Sequence, residues 1–167
     1  MPAYHIRKAR VHDVKAIHGL IYKCAQKELL LARSFHQLYN FLRDFVVLTD
    51  GQDTVLGCCA LSICWEGLGE IRSLVVDPGH ERQGLGRRLV TTCLDEAREL
   101  GLARVFTLTY VPGFFSRLGF AEVGKDVLPH KIWADCINCP KFPECDETAM
   151  LIELISPANL ETAASDT

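Results

Sequence analysis

The 167-residue chain sets 18 Lys and Arg against 21 Asp and Glu, a formal net charge of −3, with 49% hydrophobic and 23% charged residues. That composition suits one well-buried globular domain, is short for two, and excludes a disordered chain. No cations cluster to neutralise phosphates, which argues against a nucleic-acid partner, and the apolar runs fall far below the ~20 residues of a membrane-spanning helix.

Met1 to Arg10 has no apolar signal region, so a cytoplasmic chain with no membrane partner is expected. Ala3 to Ala9 reads as a strand through the alternation of Tyr4, Ile6 and Lys8. Val11, Val14, Ile17, His18 and Ile21 then recur at helical spacing, with Asp13 in the first turn. Ser34 is placed to cap a second helix whose apolar face is Phe35, Leu38, Phe41 and Leu42. Phe45 to Thr49 is rich in strand formers, Asp50-Gly51 turns the chain, and Thr54 to Trp65 continues as strand.

Gly67 and Gly69 are expected to break the chain before a strand at Glu70 to Val76. Gly84 to Leu100 is the clearest helix, with Leu85, Leu89, Cys93, Ala97 and Leu100 on one side and Gly101 as its C-cap. A strand at Ala103 to Thr109, a short helix at Pro112 to Leu118, and strands at Phe120 to Val123 and Ala149 to Ile155 follow. The order β-α-α-β-β-β-α-β-α-β-β predicts a three-layer α/β domain with one mixed, twisted sheet.

The segment from Ser73 to Val90 is the most informative: an apolar strand ends at Asp77-Pro78, and a Gly-rich loop leads straight into the long helix. A helix N-terminus carries about four unpaired N–H groups and roughly half a positive charge, which stabilises phosphates. Gly84 and Gly86 let backbone approach an anion without a Cβ in the way, and His80, Arg82, Arg87 and Arg88 add cations against Glu81. Gly-x-Gly by itself is also ordinary turn chemistry. A dinucleotide fingerprint is excluded because Leu89 stands at the third glycine position, and no Gly-Lys-Ser/Thr follows to make a P-loop.

This loop is similar to the Gln/Arg-x-x-Gly-x-Gly/Ala signature of GNAT acyltransferases, with Glu81 replacing the first Gln or Arg. Phe114-Phe-Ser-Arg-Leu-Gly-Phe120 resembles the family's Phe-Tyr-x-x-x-Gly-Phe, and Leu74-Val75-Val76 resembles its bulged, pantetheine-binding strand. The resemblance implies a GNAT-like α/β/α domain over residues 1–156, its central sheet splayed at a β-bulge, with a Cys-containing loop at about 129–146 and a disordered tail at 157–167. It implies acetyl-CoA as cosubstrate, held by Leu74, Val75, Val76, Arg82, Gln83, Gly84, Leu85, Gly86 and Arg87, mainly through backbone amides of residues 82–87.

By the same resemblance the N–H of Leu74 would polarise the acetyl carbonyl, and Glu70 would be the base that takes the proton of the incoming amine. Period-2 geometry places residues 70, 72 and 74 on one face. Solvation of a strand end is the plainer role for Glu70. Many family members have Tyr where this chain has Phe115, which cannot donate a proton to the leaving thiolate; Tyr110 and Ser116 are nearby substitutes.

Leu29 to Ser34 with Leu38-Tyr39, Cys58 to Leu61, Trp65 to Arg72 and Arg104 to Thr109 resemble the acetyltransferase domain of N-acetylglutamate synthases, especially short, stand-alone ones. This implies a small-molecule partner, an amino acid acetylated on its α-amine (glutamate or glutamine) in arginine biosynthesis. Arg33 and Arg72 would fork its carboxylates, with Ser73 near the amine. Another small amine, a peptide N-terminus, or an acetyl-CoA sensor without turnover are the alternatives, and a homodimer is left open.

Of the eight cysteines, Cys24, Cys58, Cys59, Cys64 and Cys93 fall in apolar segments as small buried hydrophobes. Cys136, Cys139 and Cys145 with His130 offer a set that zinc would accept, a redox pair, or unlinked thiols.

Overall fold

The computed structural model describes residues 3–128 and 146–154. Its elements are β1 (His5–Lys8), α1 (Val14–Gln26), α2 (Phe35–Asn40), β2 (Phe45–Thr49), β3 (Val55–Trp65), β4 (Leu68–Val76), α3 (Leu85–Glu99), β5 (Arg104–Thr109), α4 (Pro112–Arg117), β6 (Ala121–Val123) and β7 (Thr148–Glu153). This is the order expected from sequence, with single 3-10 turns added at Val11–Asp13, Leu42–Asp44, Pro78–His80 and Lys125–Val127. The sheet is mixed, in the order β1-β2-β3-β4-β5-β7-β6, with β4 parallel to β5 and the pairs β1/β2, β2/β3, β5/β7 and β6/β7 antiparallel. Contacts group the chain into two compact units, Met1–Ser62 with Ile71–Cys93, and Ile63–Glu70 with Leu94–Thr167.

The first unit is layered. Phe45, Val47, Cys58, Ala60 and Val75 point to one side of the strands and pack with Val14, Ile17, Leu20 and Ile21 of α1 and Leu38 of α2. Leu48 and Gly57 lie on the other side, where Leu89 of α3 approaches. Strand β2 is therefore covered on both faces, which explains why Phe-Val-Val-Leu-Thr is buried at every position rather than at alternate ones. Gly57 is needed for that closeness: a Cβ there would sit 2.9 Å from the Val75 carbonyl oxygen and 3.3 Å from Leu89 Cδ1.

The second unit gathers Leu68, Phe106, Leu128 and Ala149 in its core. Phe115 packs edge-on against Phe114 and Phe120, with ring centroids 5.0 and 5.2 Å away.

Ser34 caps α2 as expected, in a capping box with Gln37: its Oγ accepts from the Gln37 N–H, and Gln37 Oε1 accepts from the Ser34 N–H. Gly101, at φ 82°, closes α3 in a Schellman pattern: the Leu102 N–H reaches Ala97 O, and the Gly101 N–H reaches Arg98 O.

Other expectations are corrected. Val11 lies in a 3-10 turn before α1 and is 66% exposed, and Leu100 is 52% exposed just past the end of α3. On α2 only Leu38 is buried, because six residues make less than two turns. Gly69 is inside β4; the break is the tight turn at Glu66-Gly67, with Gly67 at φ 76°. Cys24 and Cys64 are only partly buried, and Cys58, Cys59 and Cys93 fully so.

Composition gave no warning of the buried carboxylate of Asp13, 2% exposed. The Arg7 guanidinium forks it at 2.7 and 3.0 Å, and the Arg10 N–H donates to it at 2.7 Å. The same guanidinium reaches Asp53 at 3.1 and 3.2 Å. Burial pushes the Asp13 pKa up, but the Arg7 fork and the Arg10 amide outweigh it and hold the carboxyl below its usual range. A lowered folded pKa contributes stability that is complete above the unfolded value of about 3.9 and is lost as pH falls through the folded one. Asp13→Asn should therefore cost about 1–3 kcal/mol at pH 7, and the gap between variant and wild type should close below about pH 4. Urea midpoints measured across pH check both.

Candidate active site

Strand β4 carries the most unusual backbone of the first unit. Ser73 sits mid-strand at φ 53°, left-handed for a residue with a Cβ. Such a conformation costs about 1–2 kcal/mol and interrupts the two-residue alternation. Arg72 and Ser73, which a regular strand would send to opposite faces, consequently line the same cleft. Beyond Ser73, Val75 turns into the core at 4% exposure, leaving Leu74 and Val76 half-buried. The Cys58 thiol donates to the Ser73 carbonyl at 3.4 Å, bracing the bulge from the neighbouring strand. Burial pushes that thiol well up, so it is a structural group and no nucleophile.

The cleft is partly open to solvent. It is lined by Arg33 and Gln37 at the start of α2, Phe41 and Asp44 after it, Ser62 on β3, and Arg72 and Ser73 on β4, with Leu38, Phe45 and Ala60 as its apolar floor. The three residues expected to contact an acceptor, Arg33, Arg72 and Ser73, are thereby brought together. Sequence reasoning missed Asp44, whose Oδ2 accepts from the Ser62 hydroxyl at 3.1 Å. Its only signal was an acid directly before a buried strand.

The loop after β4 belongs to the same unit. The Asp77 side chain accepts from the Gly79 N–H at 3.3 Å and from the His80 ring at 3.0 Å, so His80 is tied to a carboxylate. Arg82 at φ 65° and Gly84 at φ 74° then reverse the chain into α3. The first helical bond runs from the Arg88 N–H to Gly84 O, so helix geometry leaves the amides of 85–87 without intrahelical partners. A Cβ on Gly84 would meet no atom within 4 Å. Free amides at the start of a 15-residue helix are a physical match for an anion. Leu85 is buried, so it offers backbone only, and Arg82, Arg87 and Arg88 are exposed. Tyr4 braces the loop unforeseen: its hydroxyl donates to Gln83 Oε1 at 3.0 Å, and Arg88 reaches the Tyr4 carbonyl at 3.4 Å.

In the second unit, Glu70 is the last residue of β4 paired with β5, opposite Phe106, although β5 continues to Thr109. Its Oε2 lies 4.0 Å from the Cys64 thiol. Phe115 is buried among aromatic rings, the Tyr110 hydroxyl donates to Asp146 at 2.8 Å, and Ser116 is exposed. Cys136, Cys139, Cys145 and His130 lie outside the described residues; among those described, no group of three His, Cys, Asp or Glu is placed to hold a metal. No described helix is long and apolar enough to cross a membrane.

Residues 14–120 match the acetyltransferase (GNAT) family. An uncharacterized N-acetyltransferase of Chlorobaculum tepidum is 41% identical over 146 residues, covering 87% of this chain and 94% of the relative. An amino-acid acetyltransferase of Mycobacterium tuberculosis is 42% identical over 120 residues, covering 71% and 68%. Among solved structures, a Mycobacterium tuberculosis protein in complex with CoA and NLQ superposes with a TM-score of 0.79 at 32% identity, over 90% of this chain and 99% of that one. N-acetylglutamate synthase from Neisseria gonorrhoeae, complexed with coenzyme A and N-acetyl-glutamate, gives 0.84 at 29% identity over 92% of this chain, which spans only 36% of the synthase.

The bulge makes a prediction opposite to that for an ordinary mid-strand site, where glycine weakens and valine favours the strand. Ser73→Gly should leave stability unchanged or raise it by up to ~1 kcal/mol, and Ser73→Val should lower it by more than about 1–2 kcal/mol. Thermal unfolding of the two variants checks the order.

Proposed function

The chain belongs to the acetyltransferase (GNAT) family and is an acetyl-CoA-dependent N-acyltransferase, and we propose that the amine it acetylates is the α-amine of glutamate or glutamine. The observation that carries this reading is the cleft, whose lining includes two arginines, Arg33 and Arg72, together with Ser73. Guanidinium forks match carboxylates in geometry as well as charge, which suits an amino acid better than a simple alkylamine. The relatives named amino-acid acetyltransferase, and the synthase bound to N-acetyl-glutamate, support the same acceptor class.

In this proposal the diphosphate of acetyl-CoA lies on the amides at the start of α3, in the open space beside Gly84, and the pantetheine runs along the backbone of Leu74 and Val76. The N–H of Leu74 donates to the acetyl oxygen as negative charge develops there. Glu70, two residues before Arg72 on β4, takes a proton from the substrate ammonium, directly or through water, so that a neutral amine attacks. Phe115 has no proton to give and the Tyr110 hydroxyl is engaged with Asp146, so the departing thiolate takes its proton from water. A thiol near pKa 8.5 is a tolerable leaving group without help.

A thiol-release assay with glutamate, glutamine and aspartate tests the acceptor. Turnover with an amino acid is expected, and a protein that binds CoA but turns over none of the three overturns the proposal. For the loop, Gly84→Ala both fills the space and strains a left-handed position. CoA affinity should fall at least about tenfold, or ~1.4 kcal/mol, and titration calorimetry reads it.

For the base, Glu70→Gln keeps the shape and removes the proton acceptor. The rate should fall by ~10²–10⁴, roughly 3–5 kcal/mol, with acetyl-CoA affinity unchanged. Activity should recover as pH rises, because more amine then arrives neutral. A lost substrate contact would instead raise KM at every pH. A kcat within about threefold of wild type across pH 6.5 to 9.5 removes Glu70 from the mechanism.

A further inference from the structure

Tyr4 takes no part in the acetyl transfer outlined above, yet it meets the loop before α3 at three places. Its hydroxyl donates to Gln83 Oε1 at 3.0 Å, its ring lies edge-on to the His80 ring with centroids 6.3 Å apart, and its carbonyl accepts from Arg88 at 3.4 Å. We infer that Tyr4 is a positioning residue for the cofactor: by holding the oxygen of the Gln83 amide, it keeps the nitrogen of that amide as a donor to the diphosphate. The inference rests on the reading that the diphosphate lies at the start of α3, and it adds a residue from outside the loop.

The loop needs such support. Arg82 sits at φ 65°, a conformation that a residue with a Cβ keeps only when its surroundings impose it. Tyr4 touches the residue two positions before Arg82 and the residue directly after it, so its contacts bracket the strained position. Tyr4 is itself placed by the sheet, since it directly precedes β1, whose His5 pairs with Thr49 of β2. From the other end, Asp77 at the close of β4 holds the His80 ring at 3.0 Å. The loop is thus pinned at two points by separate strands.

The chemical consequence falls on Gln83. A primary amide has an acceptor oxygen and a nitrogen with two donors. Left to rotate, it can turn either end to an anion, and the oxygen end is repelled. The Tyr4 hydroxyl, as donor, occupies the oxygen, and among the described residues the Gln83 side chain makes no other hydrogen bond. Its N–H donors are therefore kept one residue before Gly84, next to the amides of 85–87 that lack intrahelical partners. Hydrogen bonds to an ionised acceptor are the stronger kind. A donor fixed before the ligand arrives also spares the ordering cost at binding.

Titration calorimetry with CoA tests this in wild type, Tyr4→Phe, Gln83→Lys and the double variant, with thermal unfolding of each alongside. Tyr4→Phe keeps the ring beside His80 and the carbonyl that Arg88 reaches, and removes only the hydroxyl. Its CoA dissociation constant should rise about threefold to tenfold at an unchanged midpoint of unfolding. In turnover the loss in kcat/KM for acetyl-CoA should be carried by KM. A lysine at position 83 has donors only and needs no partner to orient it. In that background Tyr4→Phe should change CoA affinity by less than about 1.5-fold. Gln83→Ala, with no amide to orient, should silence Tyr4→Phe equally, and it supplies the result if Gln83→Lys fails to fold. A Tyr4→Phe affinity equal to wild type overturns the assignment. So does an equal loss in every background, which would make the hydroxyl a brace that acts without Gln83. Unchanged CoA affinity in Gly84→Ala overturns instead the placement of the diphosphate on which the inference rests.

Discussion

The left-handed backbone of Ser73 governs what β4 can do. A regular strand at that position would send Arg72 to one side and Ser73 to the other, and its amides would continue a ladder. Ser73, at φ 53°, instead lines the same cleft as its neighbour Arg72. The strain of about 1–2 kcal/mol persists because the segment on either side is fixed. Ile71 and Val75 are buried, the Cys58 thiol holds the Ser73 carbonyl, and a Cβ-free Gly57 lets β3 lie close against the Val75 carbonyl. Removing the local cost would leave a more regular strand, but one whose side chains alternate and whose backbone groups are engaged with neighbours. The left-handed residue thus carries a local cost in a strand that lines the cleft beside Arg33 and Arg72.

Much of the architecture could be read from the chain because period and punctuation agreed. The continuous apolar run of β2, the helical spacing of α3, the Gly101 cap and the Ser34 cap all appear where their residues place them. The loop from Asp77 to Gly84 was legible for the same reason: a strand end, glycines and a helix start follow one another directly. What escaped the sequence was governed by tertiary placement. Asp13 looks like an ordinary first-turn acid until Arg7 arrives from the strand before it and Asp53 from the turn after β2. Asp44 looks like a solvated loop acid until Ser62 and Arg72 come alongside. Tyr4 and Gln83 are 79 positions apart, and only the fold makes them partners.

The errors of position have one cause. Val11 and Leu100 extend the apolar period of their helices by one step beyond where the backbone stays helical, and both end up exposed. Periodicity identifies a face but does not mark where the helix ends, whereas caps do so through hydrogen bonds. Gly69 shows the converse. A glycine within a strand looks like a break, but here it is an interior residue of β4 paired with Val105, and the turn is made by Gly67 alone.

In the proposed reading two anion-handling surfaces lie in the first unit, and they work by different physics. The loop before α3 relies on main-chain amides and the helix dipole, so its field changes little when a side chain changes. Glu81 can therefore stand where the family signature has a Gln or Arg without removing the donors. The cleft relies on side chains, Arg33, Arg72 and Asp44, and each substitution there changes both charge and donor pattern. A backbone site offers the same donors whichever side chains its residues carry. A side-chain site can be retuned one residue at a time, because each substitution changes charge and donor pattern together. In that reading cofactor recognition would depend mainly on main-chain geometry, and acceptor choice on a few named side chains.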